Sequence, residues 1–382
     1  MKKCVCFLFI LLIAVLSVGT AVRTVLAFPD ALAESGGGIP GLILTAYGSL
    51  QEDKLCTHTL GHDNWIDLYG LAQKAAGVDV IPDGDRSVYR LRNGSLSFLQ
   101  SCKPEFTVEE LDAIHRIKSA TDLVGAQSVF VGVPRKVCTY AQNVFAARGI
   151  DDPLVALTPL YESAFSETDF RMLDLHARMH DAGMEHTAAY FRTDHHWKTS
   201  TAFWAAQEIA AELGARDLPD LSQYETKTYT RFLLGSEGKH CGRLYCTPDD
   251  LDVYVPNFGT DFSVTYYGDL PPRSGDFNNT LLYWPSIERQ MSPYDNNPYT
   301  VFTRGDTSQS IINHLCPDGK HITFIKDSYA DSMAPYLAPA FRRIDLLDPR
   351  DFTDSLSDYI ERERPDYVCV MLSPCMGQNY FK

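Results

Sequence analysis

The chain has 382 residues and a formal net charge of −15, from 34 basic and 49 acidic side chains. Hydrophobic residues make up 45% of it and charged residues 22%, which is typical of a soluble fold with room for one large domain or two ordinary ones. The acidic balance, with no basic run, excludes nucleic acid as the expected partner.

Residues 1–27 predict an export signal or a membrane anchor. Lys2 and Lys3 precede Cys4–Val22, an apolar stretch without charge that nearly reaches the length of a spanning helix. Small-residue cleavage sites follow at Ala27 and Ala33, so cleavage and anchoring both stay open. In either case the remainder is expected outside the cytoplasm, secreted or membrane-anchored.

Eight cysteines follow the export segment, an even number that favours disulfides in an exported chain. Cys241 and Cys246 flank four residues and are the expected local pair. A zinc ribbon is the alternative, but no second pair has matching spacing. The eight are Cys56, Cys102, Cys138, Cys241, Cys246, Cys316, Cys369 and Cys375.

Residues 28–105 are predicted as a lead-in segment with one amphipathic helix at Asp63–Ala76, and residues 106–382 as an α/β domain. Apolar runs predict strands that alternate with helical patterns, which indicates a parallel sheet covered on both faces. The predicted strands are 127–133, 187–192, 321–326, 343–347 and 367–372, and the predicted helices after the Thr107 cap are 167–182, 198–213, 329–338 and 353–363.

Residues 217–310 break this alternation, because Tyr, Pro, Asn and Gly are dense there and helical periodicity is absent. A segment of this length is expected to carry short antiparallel strands of its own. It is either a structural insertion or a lid with an acceptor groove, for which Tyr283 and Trp284 are candidate substrate-binding residues.

Asp194 and His196 stand where a predicted strand gives way to a helix. In an extended segment residues i and i+2 face the same side, so the carboxylate is predicted to orient the imidazole as a general base, with His195 on the opposite side. Ser328 follows the strand at His321–Lys326 and is the candidate nucleophile. The simpler alternative is that Asp327 and Ser328 cap a helix.

The Asp194 to Trp197 run and the later Lys326 to Tyr329 run resemble the bacterial DHHW proteins, relatives of the SGNH-hydrolase-like alginate O-acetyltransferases. The resemblance implies a three-layer α/β/α SGNH-hydrolase-like domain with a parallel sheet and a triad of Ser328, His196 and Asp194. It also implies a polysaccharide acceptor, and a membrane-bound O-acyltransferase as the donor partner is an expectation. No cofactor is expected. Trp197 is either a substrate-binding wall or a core residue.

Acyl transfer through this triad would need oxyanion donors, predicted as the Ser328 N–H with a second donor from Gly235, Gly305 or Asn313. A carbohydrate esterase with the same triad and a non-catalytic polysaccharide-binding protein remain alternatives. A metal site at His176, His180 and His186 is disfavoured, because the helix lacks the Glu of a zinc-protease motif.

Overall fold

A computed structural model describes residues 61–83, 86–100, 107–137, 153–215 and 217–373. The chain divides into two compact units, Met1–Ala72 and Gln73–Lys382. The predicted export segment and four of the predicted disulfide cysteines, Cys56, Cys102, Cys138 and Cys375, lie outside the described residues. No helix within the described ranges is long and apolar enough to cross a membrane.

The helices are numbered in chain order. They are α1 His62–Ala75, α2 Val108–Val124, α3 Pro153–Glu167, α4 Leu175–Asp181, α5 Thr199–Glu212, α6 Ser236–Cys241, α7 Phe277–Thr280, α8 Pro285–Glu288, α9 Tyr329–Leu337 and α10 Leu356–Glu363. Single turns of 3₁₀ helix lie at His186–Ala188, Leu221–Gln223, Pro298–Val301 and Ala338–Ala340.

The strands are numbered in the same way. They are β1 Val80–Asp83, β2 Arg86–Arg90, β3 Leu96–Gln100, β4 Gln127–Gly132, β5 Arg171–Asp174, β6 Tyr224–Leu233, β7 Asp249–Pro256, β8 Phe262–Tyr266, β9 Arg273–Gly275, β10 Gln309–Asn313, β11 His321–Lys326, β12 Arg343–Leu347 and β13 Tyr367–Met371.

The main sheet has eight strands in the order β5-β4-β13-β11-β12-β10-β8-β9. The first five run parallel, and β10, β8 and β9 extend the sheet with antiparallel pairs. Parallel strands are buried on both faces, and this sheet accordingly separates two apolar clusters. This is the predicted three-layer α/β/α architecture.

Alternation along the strands assigns the two faces. Val129 and Val131 of β4 join the cluster that holds α5 and α9, whereas Phe130 between them joins the cluster of α2, α3 and α10. Because β4, β13 and β11 run parallel, their carboxyl ends lie at the same edge of the sheet. Such an edge is where open α/β sheets place their ligands.

The predicted insertion has its own short strands, as expected. β6 and β7 form an antiparallel hairpin, and β8 to β10 lengthen the main sheet. Many of its apolar side chains belong to the same core cluster as α5 and α9, so the insertion is integral to the packed domain rather than a detached loop.

The sequence prediction was wrong in two places before the site. The predicted helix 167–182 contains a turn, strand β5 and the short helix α4, which begins where the Asp174 carboxylate accepts the Ala177 N–H. The predicted strand 187–192 is absent, because residues 186–188 form a 3₁₀ turn and only Tyr190 pairs, in a single bridge with Trp197.

Strands β1 to β3 form a small sheet that contacts the loop before the candidate base. The Leu96 N–H donates to the Arg192 carbonyl at 2.7 Å. The buried Lys136 ammonium donates to the Leu96 carbonyl at 2.5 Å, to the Asp194 carbonyl at 2.7 Å and to the Glu237 carboxylate at 2.8 Å. One buried cation therefore joins this sheet, the β4 edge and helix α6.

The predicted bond between Cys241 and Cys246 is wrong for this structure, in which both residues are buried thiols. The Cys246 thiol points back at the Gly242 carbonyl, with sulfur and oxygen 3.4 Å apart. Cys316 and Cys369 are also buried thiols, so none of the described cysteines is cross-linked.

We expect Cys241 and Cys246 to react with a thiol reagent when the unreduced chain is unfolded, because neither is oxidised in the folded state. Peptide mapping by mass spectrometry checks this. Cys369, a thiol in the middle of β13, is the internal control for complete unfolding. Recovery of a peptide pair linked through Cys241 and Cys246 would contradict the structure.

Candidate active site

The segment from Asp194 to Trp197 is a tight turn rather than the end of a strand. It is closed by hydrogen bonds from the Phe191 N–H to the His196 carbonyl (3.1 Å) and from the Lys198 N–H to the Ala189 carbonyl (2.9 Å). Inside it, the Asp194 carboxylate accepts the His196 backbone N–H at 3.0 Å. This is the local geometry that Asp favours in turns, and it brings both side chains to one side without strand alternation.

The Asp194 carboxylate is buried and each of its oxygens is bound. Oδ1 lies 2.5 Å from His196 Nδ1, and Oδ2 accepts the Ser236 N–H at 2.7 Å. Burial alone would raise the pKa of Asp194, but the neighbouring His196 and His195 and the hydrogen bonds from His196 hold it well below its usual range. The carboxylate is therefore ionised at neutral pH.

Gly235 allows helix α6 to approach this carboxylate. A Cβ at position 235 would lie 2.2 Å from the Asp194 Cβ and 2.5 Å from its Oδ2. The residue before Asp194 is also fixed, because the Asp249 carboxylate accepts the Thr193 N–H at 2.8 Å and the Thr193 hydroxyl at 2.6 Å. Two segments distant in sequence thus fix the Asp194 turn.

Asp327 and Ser328 have different roles at the end of β11. Asp327 Oδ1 accepts the Tyr329 N–H (3.0 Å) and its Oδ2 accepts the Ser373 N–H (2.7 Å), so it caps α9 and ties it to the end of β13. The Ser328 side chain makes no capping bond. The helix-cap interpretation thus explains Asp327 but leaves the Ser328 hydroxyl for another partner.

That partner is His196. Its Nε2 lies 2.7 Å from Ser328 Oγ, while its Nδ1 faces Asp194. The three residues predicted from sequence are therefore in contact, with the imidazole between the carboxylate and the hydroxyl. This is the arrangement by which a histidine takes a proton from a serine while a carboxylate fixes its tautomer.

His195 was predicted on the side opposite to His196, and that prediction was wrong. Its ring is 3.9 Å from that of His196 between centroids, and its Nδ1 lies 3.1 Å from the Ser236 hydroxyl. The turn, unlike an extended strand, lets consecutive side chains approach each other. The His195 carbonyl accepts the Tyr329 hydroxyl at 2.7 Å, which links the turn to the start of α9.

The three predicted substrate-binding residues occupy different places. Trp197 is 0% exposed, so it has no surface for a sugar and is a core residue. Tyr283 and Trp284 are half-buried beside α8, with the Arg304 guanidinium over the Tyr283 ring and the Lys227 ammonium over the Trp284 ring. Within the described residues, no hydrogen bond or ring contact connects either to the triad.

One predicted oxyanion donor is available and three are not. The Ser328 N–H has no acceptor within the described part of the chain, and it stands at the N-terminus of α9. The Gly235 N–H donates to the Thr193 hydroxyl, the Gly305 N–H to the Phe302 carbonyl, and the Asn313 amide to the Ala338 carbonyl. These three predictions were wrong because each group already has a partner.

Arg135, which the sequence analysis did not single out, lies next to Lys136 at the β4 edge. Its backbone N–H donates to His176 Nε2 at 2.6 Å, and its guanidinium Nη1 is buried without an acceptor. An unpartnered buried donor is unusual and indicates a group that a ligand can use. An isolated Arg in a loop carries no sequence pattern by which it could have been found.

Two groups of side chains within the described residues have the spacing of metal ligands: Asp194, His195 and His196, and Glu162, Asp174 and His176. Neither offers a free donor set. Both nitrogens of His196 are engaged in the triad, and His176 Nε2 already accepts the Arg135 N–H. His180 belongs to neither group, so the predicted metal alternative has no support here.

Comparisons with known proteins agree with the predicted resemblance. Residues 102–243 match the SGNH hydrolase-like domain of acetyltransferase AlgX, and residues 177–347 match the DHHW protein family. The second match includes Asp194, His196 and Ser328. No protein with a curated description matches the chain.

Two solved structures share the fold. A DHHW family protein from Eubacterium siraeum is 20% identical, with a TM-score of 0.58 over 79% of this chain and 96% of that one. Bacillus cereus PatB1 is 17% identical, with a TM-score of 0.57 over 79% of this chain and 98% of that one. The chain thus has an SGNH-hydrolase-like α/β fold.

We expect Gly235→Ala to lower kcat by roughly 100-fold, because the new methyl group must displace the Asp194 carboxylate and with it the imidazole. Overpacking at this point should also lower the free energy of unfolding by about 1–3 kcal/mol. Ester turnover and urea denaturation measure the two effects. Gly268→Ala is the matched control, since a Cβ there meets nothing within 4 Å. Equal behaviour of both variants would refute the proposed constraint.

Proposed function

We propose that the chain is an acyltransferase that moves an acetyl group to a hydroxyl of a cell-envelope or extracellular polysaccharide. The observation that carries the proposal is the placement of His196 between the Asp194 carboxylate (2.5 Å) and the Ser328 hydroxyl (2.7 Å). The matches to SGNH-like acetyltransferase and DHHW families add support for this class of chemistry.

In the first half-reaction Ser328 Oγ attacks the acyl carbonyl and its proton passes to His196 Nε2. The ionised Asp194 holds the Nδ1 proton and stabilises the imidazolium that forms. The Ser328 N–H and the N-terminus of α9 are suited to stabilise the oxyanion. His196 then returns the proton to the departing group, which leaves an acetyl ester on Ser328.

In the second half-reaction His196 removes the proton from an incoming hydroxyl, which attacks the acyl carbon; the bond to Ser328 Oγ breaks and His196 returns the proton to that oxygen. A sugar hydroxyl gives transfer and water gives hydrolysis, so the esterase alternative uses the same three side chains. The Arg135 guanidinium acts electrostatically on His195 and Tyr329, and its Nη1 has no acceptor within the described residues, so we propose that it holds an oxygen of the acceptor. We infer that this contact favours sugar over water.

The donor belongs to the same proposal. Export of the domain would place it where acetyl-carrying metabolites of the cytoplasm are absent, so a membrane-bound O-acyltransferase is the proposed source of the acyl group. Trp284 and Tyr283 remain proposed acceptor contacts, and the Tyr283 N–H donates to the Val301 carbonyl in the turn Pro298–Val301.

We expect Ser328→Ala to lower turnover of a chromogenic acetyl ester by roughly 10⁴-fold while the chain stays folded, because the hydroxyl makes no capping bond. Ser274→Ala, at an exposed serine of β9, is the control. If the folded Ser328→Ala variant keeps more than about a tenth of the activity, Ser328 is not the nucleophile. No turnover in wild type and variant alike would favour the binding-protein alternative.

A partition experiment separates transferase from esterase. With an acetyl donor present, oligosaccharides of envelope or exopolysaccharide type should divert acetyl groups from water onto sugar hydroxyls, measured by mass spectrometry and acetate release. Arg135→Gln and Trp284→Ala should each reduce this diversion several-fold without slowing donor cleavage. Acetate release that no oligosaccharide changes, with no acetylated sugar formed, would make the esterase the better assignment.

A further inference from the structure

The insertion sends one aromatic side chain to the base. Tyr299 belongs to the 3₁₀ turn Pro298–Val301, within the 217–310 segment, and is 4% exposed. Its ring lies nearly parallel to the His196 imidazole, with centroids 4.0 Å apart and an interplanar angle of 18°. An aromatic face at this distance favours a cationic ring over a neutral one, and His196 becomes cationic when it accepts the Ser328 proton.

The hydroxyl of Tyr299 reaches the nucleophile helix. It lies 2.7 Å from Ser332 Oγ and 3.3 Å from the Ser328 carbonyl, to which it donates. Burial raises the pKa of Tyr299 well above its usual range, so the hydroxyl keeps its proton and remains a donor. Tyr299 therefore contacts the base with its ring and the helix that begins at the nucleophile with its hydroxyl.

Ser332 also receives the side chain that follows the base in sequence. The Trp197 indole N–H donates to Ser332 Oγ at 2.9 Å, and both residues are fully buried. Trp197 is one residue after His196, and Ser332 is four residues after Ser328, on the same face of α9. The Trp197–Ser332 bond thus runs beside the His196–Ser328 contact and sets the distance between the turn and the helix.

We propose that Trp197, Ser332 and Tyr299 form a positioning clamp that fixes His196 against Ser328, and that the insertion takes part in catalysis through Tyr299. The inference rests on the proposed acyl transfer. It gives the buried tryptophan a defined function: its indole N–H, rather than its contact with substrate, serves the reaction. It also predicts that the insertion cannot be shortened past Tyr299 without loss of activity.

The physical reason is the steep distance dependence of proton transfer. His196 Nε2 and Ser328 Oγ must stay within hydrogen-bond reach while the carbonyl is attacked, and a misplacement of about 1 Å costs roughly 100-fold in rate. Within the described residues, the turn that carries His196 is attached to α9 through side-chain bonds, among them the Tyr329 hydroxyl bond to the His195 carbonyl. Side-chain bonds must therefore fix the position of His196 relative to Ser328, which a shared strand or helix would otherwise do.

Kinetics of the full chain on an uncharged acetyl ester test the clamp. Trp197→Phe and Ser332→Ala each remove the same bond, so each should lower kcat roughly tenfold with KM changed less than about twofold. The double variant should lose little more than either single one, because the bond is already gone. Trp204→Phe, a half-buried tryptophan on α5, is the control and should keep wild-type kcat.

Two variants of Tyr299 separate the contact of its ring from that of its hydroxyl. Tyr299→Phe keeps the ring on His196 and should retain most of the activity, whereas Tyr299→Leu should lower kcat by roughly 10- to 100-fold. Because Phe also preserves the packing of the ring, a loss in kcat without a loss in KM is what distinguishes positioning from a purely structural role. Additive losses in the Trp197 and Ser332 cycle, equal kcat for the Phe and Leu variants, or losses in KM alone would each overturn the proposal.

A second readout does not depend on turnover. The His196 Nδ1 proton bound to Asp194 should give a downfield proton resonance in the wild-type chain, identified by its disappearance in His196→Gln. The clamp predicts that this resonance broadens and exchanges faster with water in Ser332→Ala and Tyr299→Leu, but not in Trp204→Phe. If the wild type lacks esterase activity, the proposed function fails, and an unchanged resonance in these variants still overturns the clamp by itself.

Discussion

The Asp194 carboxylate is the constraint around which the site is organised. It is a buried anion, and a buried anion is stable only when its oxygens are bound. His196 supplies two bonds through its backbone and its ring, and the Ser236 N–H supplies a third from α6. Gly235 is needed for that approach, and Lys136 holds the carbonyl of the same aspartate. Helix α6 and the Asp194 turn, far apart in sequence, therefore converge to satisfy one charge, and Lys136 adds a third segment through the backbone of the same residue.

A second buried charge fixes the position of the candidate nucleophile. Lys326 ends β11 and is fully buried, with its ammonium 2.7 Å from the Asp331 carboxylate and 3.1 Å from that of Asp348. Asp331 lies on α9, so the hydrogen bond it accepts from Lys326 ties the strand end to the helix around the Asp327–Ser328 corner. Buried pairs add little net stability but specify geometry, because any other arrangement would leave a charge unpaired. The serine is thereby presented at a fixed point of the sheet edge.

Much of this could be predicted from sequence. The strands at 127–132, 321–326, 343–347 and 367–371 are short segments rich in β-branched, aromatic and other apolar residues, although only the last is free of polar residues. Asp194, His196 and Ser328 were found because local spacing and a family resemblance mark them. The pairing of Asp194 with His196 was right, but its cause was a turn rather than the alternation of a strand.

What could not be predicted depends on contacts between distant segments. Tyr299 lies 103 residues after His196 in the numbering and reaches it only because the insertion folds into the same core. Gly235 was one candidate for the second oxyanion donor, but its N–H donates to the Thr193 hydroxyl. The Cys241 and Cys246 spacing suggested a clasp, yet Cys241 ends α6 and, in the turn that follows, the Cys246 thiol faces the Gly242 carbonyl. Spacing alone carries no information on which way such side chains face.

The most direct test of the central claim is covalent trapping of the nucleophile. The full chain is treated with an aryl sulfonyl fluoride, a reagent that acylating serines attack, and the modified peptide is mapped by mass spectrometry. The account predicts one modified residue, Ser328, labelled at a rate that falls at least about 100-fold in His196→Gln and stays unchanged in Ser274→Ala. A label on another residue, or a rate at Ser328 that does not depend on His196, would contradict it.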